Sequence, residues 1–411
     1  MDVSLDRLRD DIEANAAFGA TGDTARTNLT GSDANRDARD RLVERLEDAG
    51  LDVRVDAVGN IAGRWVPDAA DADAPAVASG SHLDSVPNGG IFDGPLGVYG
   101  ALEAVRALQE SDIELARPVE VVSFTEEEGA SFAPGLLGSS VATGERDLDT
   151  ALAYEHDGRT LDDALDGIGY RGDGVLDAAA WDAWVELHIE QGTRLESAGA
   201  DVGVVTDITG ITHCEAVVEG QADHAGATPM DARTDALAAA SEFVLDVEDA
   251  ATDAAGENGT AVGTVGSLDV SPNATNVVPG RVELGVDVRD VEYETMDDIV
   301  AAARESLDRL ESERGVETAL SRPFDVSPAP MADRVRDAAS EAVDANGLSA
   351  LALHSGAAHD TMHVARVTDA GLLFAPSEGG FSHSPREWTD WTDCRDAVSA
   401  LAGTLARLAG R

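Results

Sequence analysis

Three histidines and two carboxylates stand at spacings that suit a hydrolytic metal centre. Asp93 follows His82 by 11 residues, and Glu127-Glu128-Gly129 begins 34 residues after Asp93. Two further histidine motifs come at Glu186-Leu187-His188-Ile189-Glu190-Gln191-Gly192 and Gly380-Phe381-Ser382-His383-Ser384-Pro385. Such a set can hold two divalent ions if one carboxylate bridges them, and a metal pair about 3.5–4 Å apart generates hydroxide at neutral pH and polarises a carbonyl. The histidines are the informative letters, because only 9 occur among 79 acidic residues, where Glu126-Glu127-Glu128 alone reads as a solvated face. Context favours a site at each. His82 closes a strand-like run and leads to Gly89-Gly90-Ile91-Phe92-Asp93-Gly94, a loop whose backbone can wrap closely around an ion. His188 lies on an alternating strand that ends in the turn Gln191-Gly192, and His383 sits in an irregular loop with no packing reason to be there.

These residues need a scaffold, and the flanking pattern supplies one. Strand-like segments at 76–80 and 119–124 bracket a helical stretch from Leu96 to Leu108, which reads as an α/β sheet with functional loops at its strand ends. From about 210 the order becomes strand (211–219), helix (231–250), strand (259–270), strand (275–290), helix (294–313) and strand (316–323), the β-α-β-β-α-β order of a ferredoxin-like unit. After Pro328-Ala329-Pro330 the chain returns to a helix (331–345), a strand (371–374) and a last helix (393–408). Ligands split between 82–188 and 383 therefore place the middle block as an insertion, with residues 1–209 and 325–411 forming one catalytic domain and 210–324 a second domain. The Asp/Ala-rich run 68–76 reads as a solvated loop.

Charge bounds the surroundings. The net charge is -50, and every one of the 29 basic residues is arginine. Self-repulsion of that size opposes folding in dilute buffer, whereas molar salt shortens the screening length to about 3 Å, so the chain reads as adapted to a salt-saturated cytoplasm. A hydrophobic content of 43% argues against disorder. Nucleic acid and anionic membranes are excluded as partners, since the cations that neutralise phosphate are lacking. Two cysteines, Cys214 and Cys394, fit a reducing compartment. No stretch reaches the roughly 18 apolar residues of a membrane span, and the N-terminus has no apolar signal core, so a cytoplasmic location is expected.

The motifs Gly80-Ser81-His82-Leu83-Asp84-Ser85, Gly89 to Gly94, Glu126-Glu127-Glu128-Gly129, Glu186 to Gly192, His224-Ala225-Gly226-Ala227-Thr228-Pro229-Met230, Ser355-Gly356-Ala357-Ala358-His359-Asp360 and Ser382-His383-Ser384-Pro385 occur in this order. Together they resemble the metal-dependent amidase/hydantoinase/carbamoylase family, which lies within the metallo-aminoacylase and peptidase clan. The resemblance implies two divalent ions per subunit (Zn, Mn, Co or Ni), bridged by Asp93. His82 and His188 would complete one site, and Glu128 and His383 the other. It implies Glu127 as general base, a cis peptide at Asp93-Gly94, and a homodimer through the inserted lid domain, with His224 reaching the neighbouring subunit's site to stabilise the oxyanion. Asn276 and Arg289 would clamp a substrate carboxylate, for which arginine is suited to bidentate contact. Read from its strand alone, the lesser alternative for Arg289 is a salt bridge to one of many acids. Gln191 and His359 would line the substrate pocket.

The implied reaction is hydrolysis of the ureido amide bond of an N-carbamoyl-L-amino acid to the amino acid, carbon dioxide and ammonia. Allantoate amidohydrolase or β-ureidopropionase activity is the alternative, with a metallo-aminoacylase, a dipeptidase or a non-catalytic binding protein behind them. The sequence departs from the family at Ala130-Ser131-Phe132, where Ser-Arg-Phe is usual, and at Phe381, both of which bear on the substrate pocket.

Overall fold

The computed structural model describes residues 1–132 and 134–410. Helices α1 (Leu5–Ala16) and α2 (Asp33–Asp48) precede strands β1 (Asp52–Val55) and β2 (Ile61–Trp65); β3 (Val77–His82), α3 (Pro95–Gln109), β4 (Val119–Phe124), β5 (Ala183–Ile189) and β6 (Val202–Ile208) follow. Next come β7 (Gly210–Glu219), α4 (Ala236–Asn258), β8 (Val262–Ser271), β9 (Arg281–Asp290), α5 (Tyr293–Arg314) and β10 (Glu317–Val326). The chain closes with β11 (Ala329–Pro330), α6 (Asp333–Ala345), β12 (Ala350–Ser355), β13 (Ala370–Ala375) and α7 (Trp391–Ala409). Two compact units result, one of Met1–Thr206, Pro330–Leu353 and Ala357–Arg411, the other of Asp207–Ala329 and His354–Gly356.

The first unit is built on a nine-stranded sheet of order β1-β2-β4-β3-β5-β13-β6-β11, with β12 paired to β6. Its centre, β4-β3-β5-β13, is parallel. All four of these strands are buried along their whole length, as expected where helices cover both faces. Such strands should read as unbroken apolar runs, yet they carry Ser81, His82, Glu186 and His188, all buried. Polar groups in so dry a sheet need partners or a function. Gly80 is required where β3 meets β4, because a Cβ there would lie 1.8 Å from Val122 O. Helix α3, capped by Gly94 with Pro95 in its first turn, is buried on every side up to Leu108 and packs on β3 and α7. Parallel strands put their carboxyl ends on one edge, and there an open α/β sheet binds its ligands.

The second unit has the antiparallel order β8-β9-β7-β10. Taken by position in the chain this is second, third, first, fourth, the ferredoxin-like arrangement. Cys214, Ala216 and Val218 of β7 and Val282, Leu284, Val286 and Val288 of β9 pack with Phe243 of α4 and Ile299 of α5 in one core. The alternate residues of β7 and β9, including His213, Asp287 and Arg289, occupy the other face.

Two boundaries differ from the sequence reading. Helix α4 starts at Ala236 rather than 231, because Asp235 caps it by accepting from Leu237 N and Ala238 N, and it runs on to Asn258 before Gly259 ends it. The strand expected over 275–290 is broken at Pro279-Gly280. Val277–Val278 pairs instead with Asp223–His224 in a separate two-residue ribbon. Among the described residues no helix is long and apolar enough to cross a membrane.

Candidate metal centre

At the carboxyl edge of the parallel strands, β3 delivers His82, β5 delivers His188, and the turns after β4 and β13 deliver Glu127, Glu128 and His383. Asp93 comes from the glycine-rich loop before α3 and is buried at the centre of the group. Its Oδ1 lies 3.5 Å from His82 Nε2 and 3.3 Å from His188 Nε2. Its Oδ2 lies 3.8 Å from His383 Nε2, which is itself 3.1 Å from Glu128 Oε2. The side chains form two overlapping donor sets, His82/Asp93/His188 and Asp93/Glu128/His383. Glu127 Oε2 stands 3.6 Å from His82 Nε2.

The spacing tests whether the group fits metal ions. Contacts of 3.3–3.8 Å are long for hydrogen bonds. Two ligand atoms each about 2.1 Å from one tetrahedral ion would stand about 3.4 Å apart. The imidazoles are also fixed from behind. His82 Nδ1 is 3.2 Å from Asp84 O and His188 Nδ1 is 3.1 Å from Ile189 O, which leaves Nε2 of each facing Asp93. The residues fit divalent cations held by mixed nitrogen and oxygen donors.

Burial and charge set the electrostatics. Burial alone would raise Asp93, but the charge and hydrogen bonds of His188 and His82 outweigh it and hold the carboxyl well below its ordinary range. Glu127 goes the other way. Burial, with the nearby carboxylates of Glu128, Asp360 and Asp84, lifts it well above the usual value against the pull of His82. The hydrogen bond to Glu128 pushes His383 up to about 9.

Four residues whose part the sequence reading missed hold this arrangement. Asp84 accepts Glu127 N through Oδ1 at 3.3 Å and Glu128 N through Oδ2 at 3.1 Å. Glu387 Oε1 accepts Phe92 N at 2.9 Å and Asp93 N at 3.0 Å. Arg26, fully buried, donates to the carbonyls of Leu83, Asp84, Gly90 and Asp93. Ser382 Oγ lies 2.6 Å from Asp93 Oδ2. Asp84 and Ser382 stood inside quoted motifs, a signal that could have found them; Arg26 and Glu387 carried none. Glu126 (φ 57°) and His383 (φ 55°) are both left-handed, a conformation that costs a non-glycine residue about 1–3 kcal/mol and clusters at functional sites. Glu126 offsets part of this by accepting Ser131 N and Phe132 N with Oε1.

Of the residues expected to line the pocket, Gln191 donates to Asp93 Oδ2 at 3.0 Å and to Ser382 Oγ at 2.9 Å. His359 is buried with its ring edge-on to His188, centroids 4.6 Å apart. His224, Asn276 and Arg289 belong to the second unit. His224 Nδ1 accepts from Gly226 N at 3.0 Å and Ala227 N at 3.2 Å, so the proton of the neutral ring is on Nε2. Asn276 O accepts Ala225 N beside it. Arg289 is engaged by Asp287. One expectation is corrected: the only cis peptide among the described residues is Ser271-Pro272, and Asp93-Gly94 is trans. The turn is taken through the positive φ of Gly94 (81°), where a Cβ would meet the His82 ring at 2.6 Å.

An α/β fold with paired donor sets at the carboxyl edge of its sheet defines a metal-dependent hydrolase of the aminoacylase and peptidase type. The chain belongs to Peptidase family M20/M25/M40, whose model matches residues 78–407. It is 39% identical over 387 residues to the N-carbamoyl-L-amino acid amidohydrolase of Geobacillus stearothermophilus, covering 93% of each chain. It is 34% identical to the allantoate amidohydrolase of Bacillus subtilis, covering 98% of this chain and 97% of that one. The crystal structure of an amidase of the hydantoinase/carbamoylase family from Burkholderia multivorans superposes with a TM-score of 0.93 at 36% identity, over 100% of this chain and 98% of the other.

Proposed function

We propose that this protein hydrolyses the carbamoyl amide bond of N-carbamoyl-L-amino acids, releasing the amino acid, carbon dioxide and ammonia. The observation that carries the reading is the spacing of His82, His188 and His383 around Asp93 with Glu127 beside them; the full-length relatives support the substrate class. His82, Asp93 and His188 would hold one divalent cation, and Asp93, Glu128 and His383 the second. When bound, such ions supply Lewis acidity and lower the pKa of water.

Glu127 takes the proton of the attacking water and returns it to the leaving nitrogen. The C–N bond breaks, and the carbamate released decomposes to carbon dioxide and ammonia. His224 directs Nε2–H at the developing oxyanion. Asn276 and Arg289 bind the free carboxylate and orient the carbamoyl group, and Gln191 and His359 shape the pocket. Residues 210–324 act as the lid through which two copies pair, so that His224 serves the partner's site. The acidic, lysine-free composition supports a protein that works in concentrated salt inside the cell.

The test is turnover by the purified protein, reconstituted with Zn, Mn, Co or Ni in molar KCl, on a panel of N-carbamoyl-L-amino acids, allantoate and dipeptides. The N-carbamoyl compounds should be preferred. Preference for allantoate, which the Bacillus subtilis relative makes the second reading, would replace the substrate while leaving the chemistry.

A further inference from the structure

Arg289 does not stand alone on the open face of the second unit. Asp287, two residues earlier on β9 and so on the same face, grips it side-on: Nε donates to Oδ1 at 2.9 Å and Nη2 to Oδ2 at 3.1 Å. Nη1 donates to Gly356 O at 2.9 Å. Asp287 is held in turn by His213, its direct cross-strand partner on β7, with Nε2 3.0 Å from Oδ2. The His213 ring is stacked on Phe324, its partner on β10, with centroids 5.0 Å apart and planes at 29°. A packed ring thus orients a carboxylate, and the carboxylate orients a guanidinium.

A guanidinium has five N–H groups. Asp287 takes Nε–H and the Nη2–H beside it, and Gly356 O takes one Nη1–H. With its side-on hydrogen taken by Asp287, the other Nη2–H points off the end of the fork, where with an Nη1–H it makes the parallel pair whose geometry receives a carboxylate in bidentate fashion. Because Arg289 and Asp287 together are formally neutral, selectivity for an anion then rests on direction more than on net charge.

We propose that Asp287 and His213 are positioning residues that set substrate specificity: they present the end-on edge of Arg289 to the α-carboxylate of the substrate. This rests on the reading of Arg289 as the carboxylate clamp. The competing outcome has the opposite sign: an Asp287 that competes with the substrate for Arg289 would, when removed, tighten binding.

The experiment compares an N-carbamoyl-L-amino acid with its α-carboxamide, kcat and KM being measured separately. Arg289→Met should raise KM for the acid and leave the carboxamide unaffected. If the acid-to-carboxamide ratio does not change, the clamp reading itself fails. Where Arg289→Met does lower that ratio, Asp287→Asn should raise KM for the acid about tenfold with kcat little altered, the pattern of lost uniform binding. An unchanged or lowered KM overturns the positioning role while leaving the clamp intact. Should Asp287→Asn not fold, His213 decides the matter: His213→Ala should weaken the acid selectively, and His213→Gln, which keeps an N–H donor, should restore it. Equal behaviour of the two His213 variants would also overturn the proposal.

Discussion

Asp84 Oδ2 accepts the backbone N–H of Glu128 at 3.1 Å, while its other oxygen takes that of Glu127 at 3.3 Å. One buried carboxylate therefore holds the backbone of the proposed base and of a metal-ligand candidate together. Asp84→Asn would turn an N–H toward one of these amides and leave it unpaired, which costs about 1–3 kcal/mol. The expected outcome is a loss of at least about tenfold in kcat with weakened metal retention, checked by steady-state kinetics and metal analysis. Unaltered kinetics would show that the β4 turn holds itself.

Glu127→Gln should retain metal yet lose turnover by about 10²–10⁴-fold, the usual worth of a positioned acid or base. Chelation of the native protein should abolish activity, and re-addition of the divalent ion should restore it. Metal content and rate, measured on the same preparation, separate the two effects. A fully active variant would remove Glu127 from the mechanism.

Dilution from molar KCl should unfold the chain or dissociate the proposed dimer, because screening would offset a net charge of -50. Circular dichroism and light scattering during the dilution report both events. Retention of structure and activity in dilute buffer would contradict the reading of salt adaptation.

Sharing of His224 between subunits predicts complementation. His224→Ala and Glu127→Gln homodimers should each be nearly inactive. A mixed dimer, however, gathers both defects in one composite site and leaves the other whole. Activity should then return, up to about half per mixed dimer, by the logic of two-fold symmetry. Proven subunit exchange without recovered turnover would place His224 in its own subunit's site or in none.

The α/β class was legible because strand-like segments at 76–80 and 119–124 flank the helical periodicity of α3, and the histidines at strand ends stood out by their scarcity. Pro279-Gly280 was a stop signal that could have shortened the strand expected from 275. Less legible were the residues that act on the backbone. Glu387 serves the amides of Phe92 and Asp93 from nearly 300 positions away, and as one acid among 79 it has no local mark. Arg26 satisfies four carbonyls in the core, whereas most arginines of this chain read as surface charge. Pairing of Arg289 with some neighbouring acid was open from the sequence, but that the acid is Asp287, gripping the side-on edge of the guanidinium, came only from the structure.

The dependence of the Asp93 loop on Glu387 also orders events during synthesis. His82, Asp93, Glu128 and His188 leave the ribosome long before His383 and Glu387, so a nascent chain carries most of its donors while the amides of Phe92 and Asp93 still lack their acceptor. The centre is completed only when residues beyond the inserted unit dock on the parallel strands. Ribosome-bound chains arrested before residue 383 should accordingly be unable to assemble the second donor set, and competence to hydrolyse should arrive abruptly once residues 383–387 have emerged.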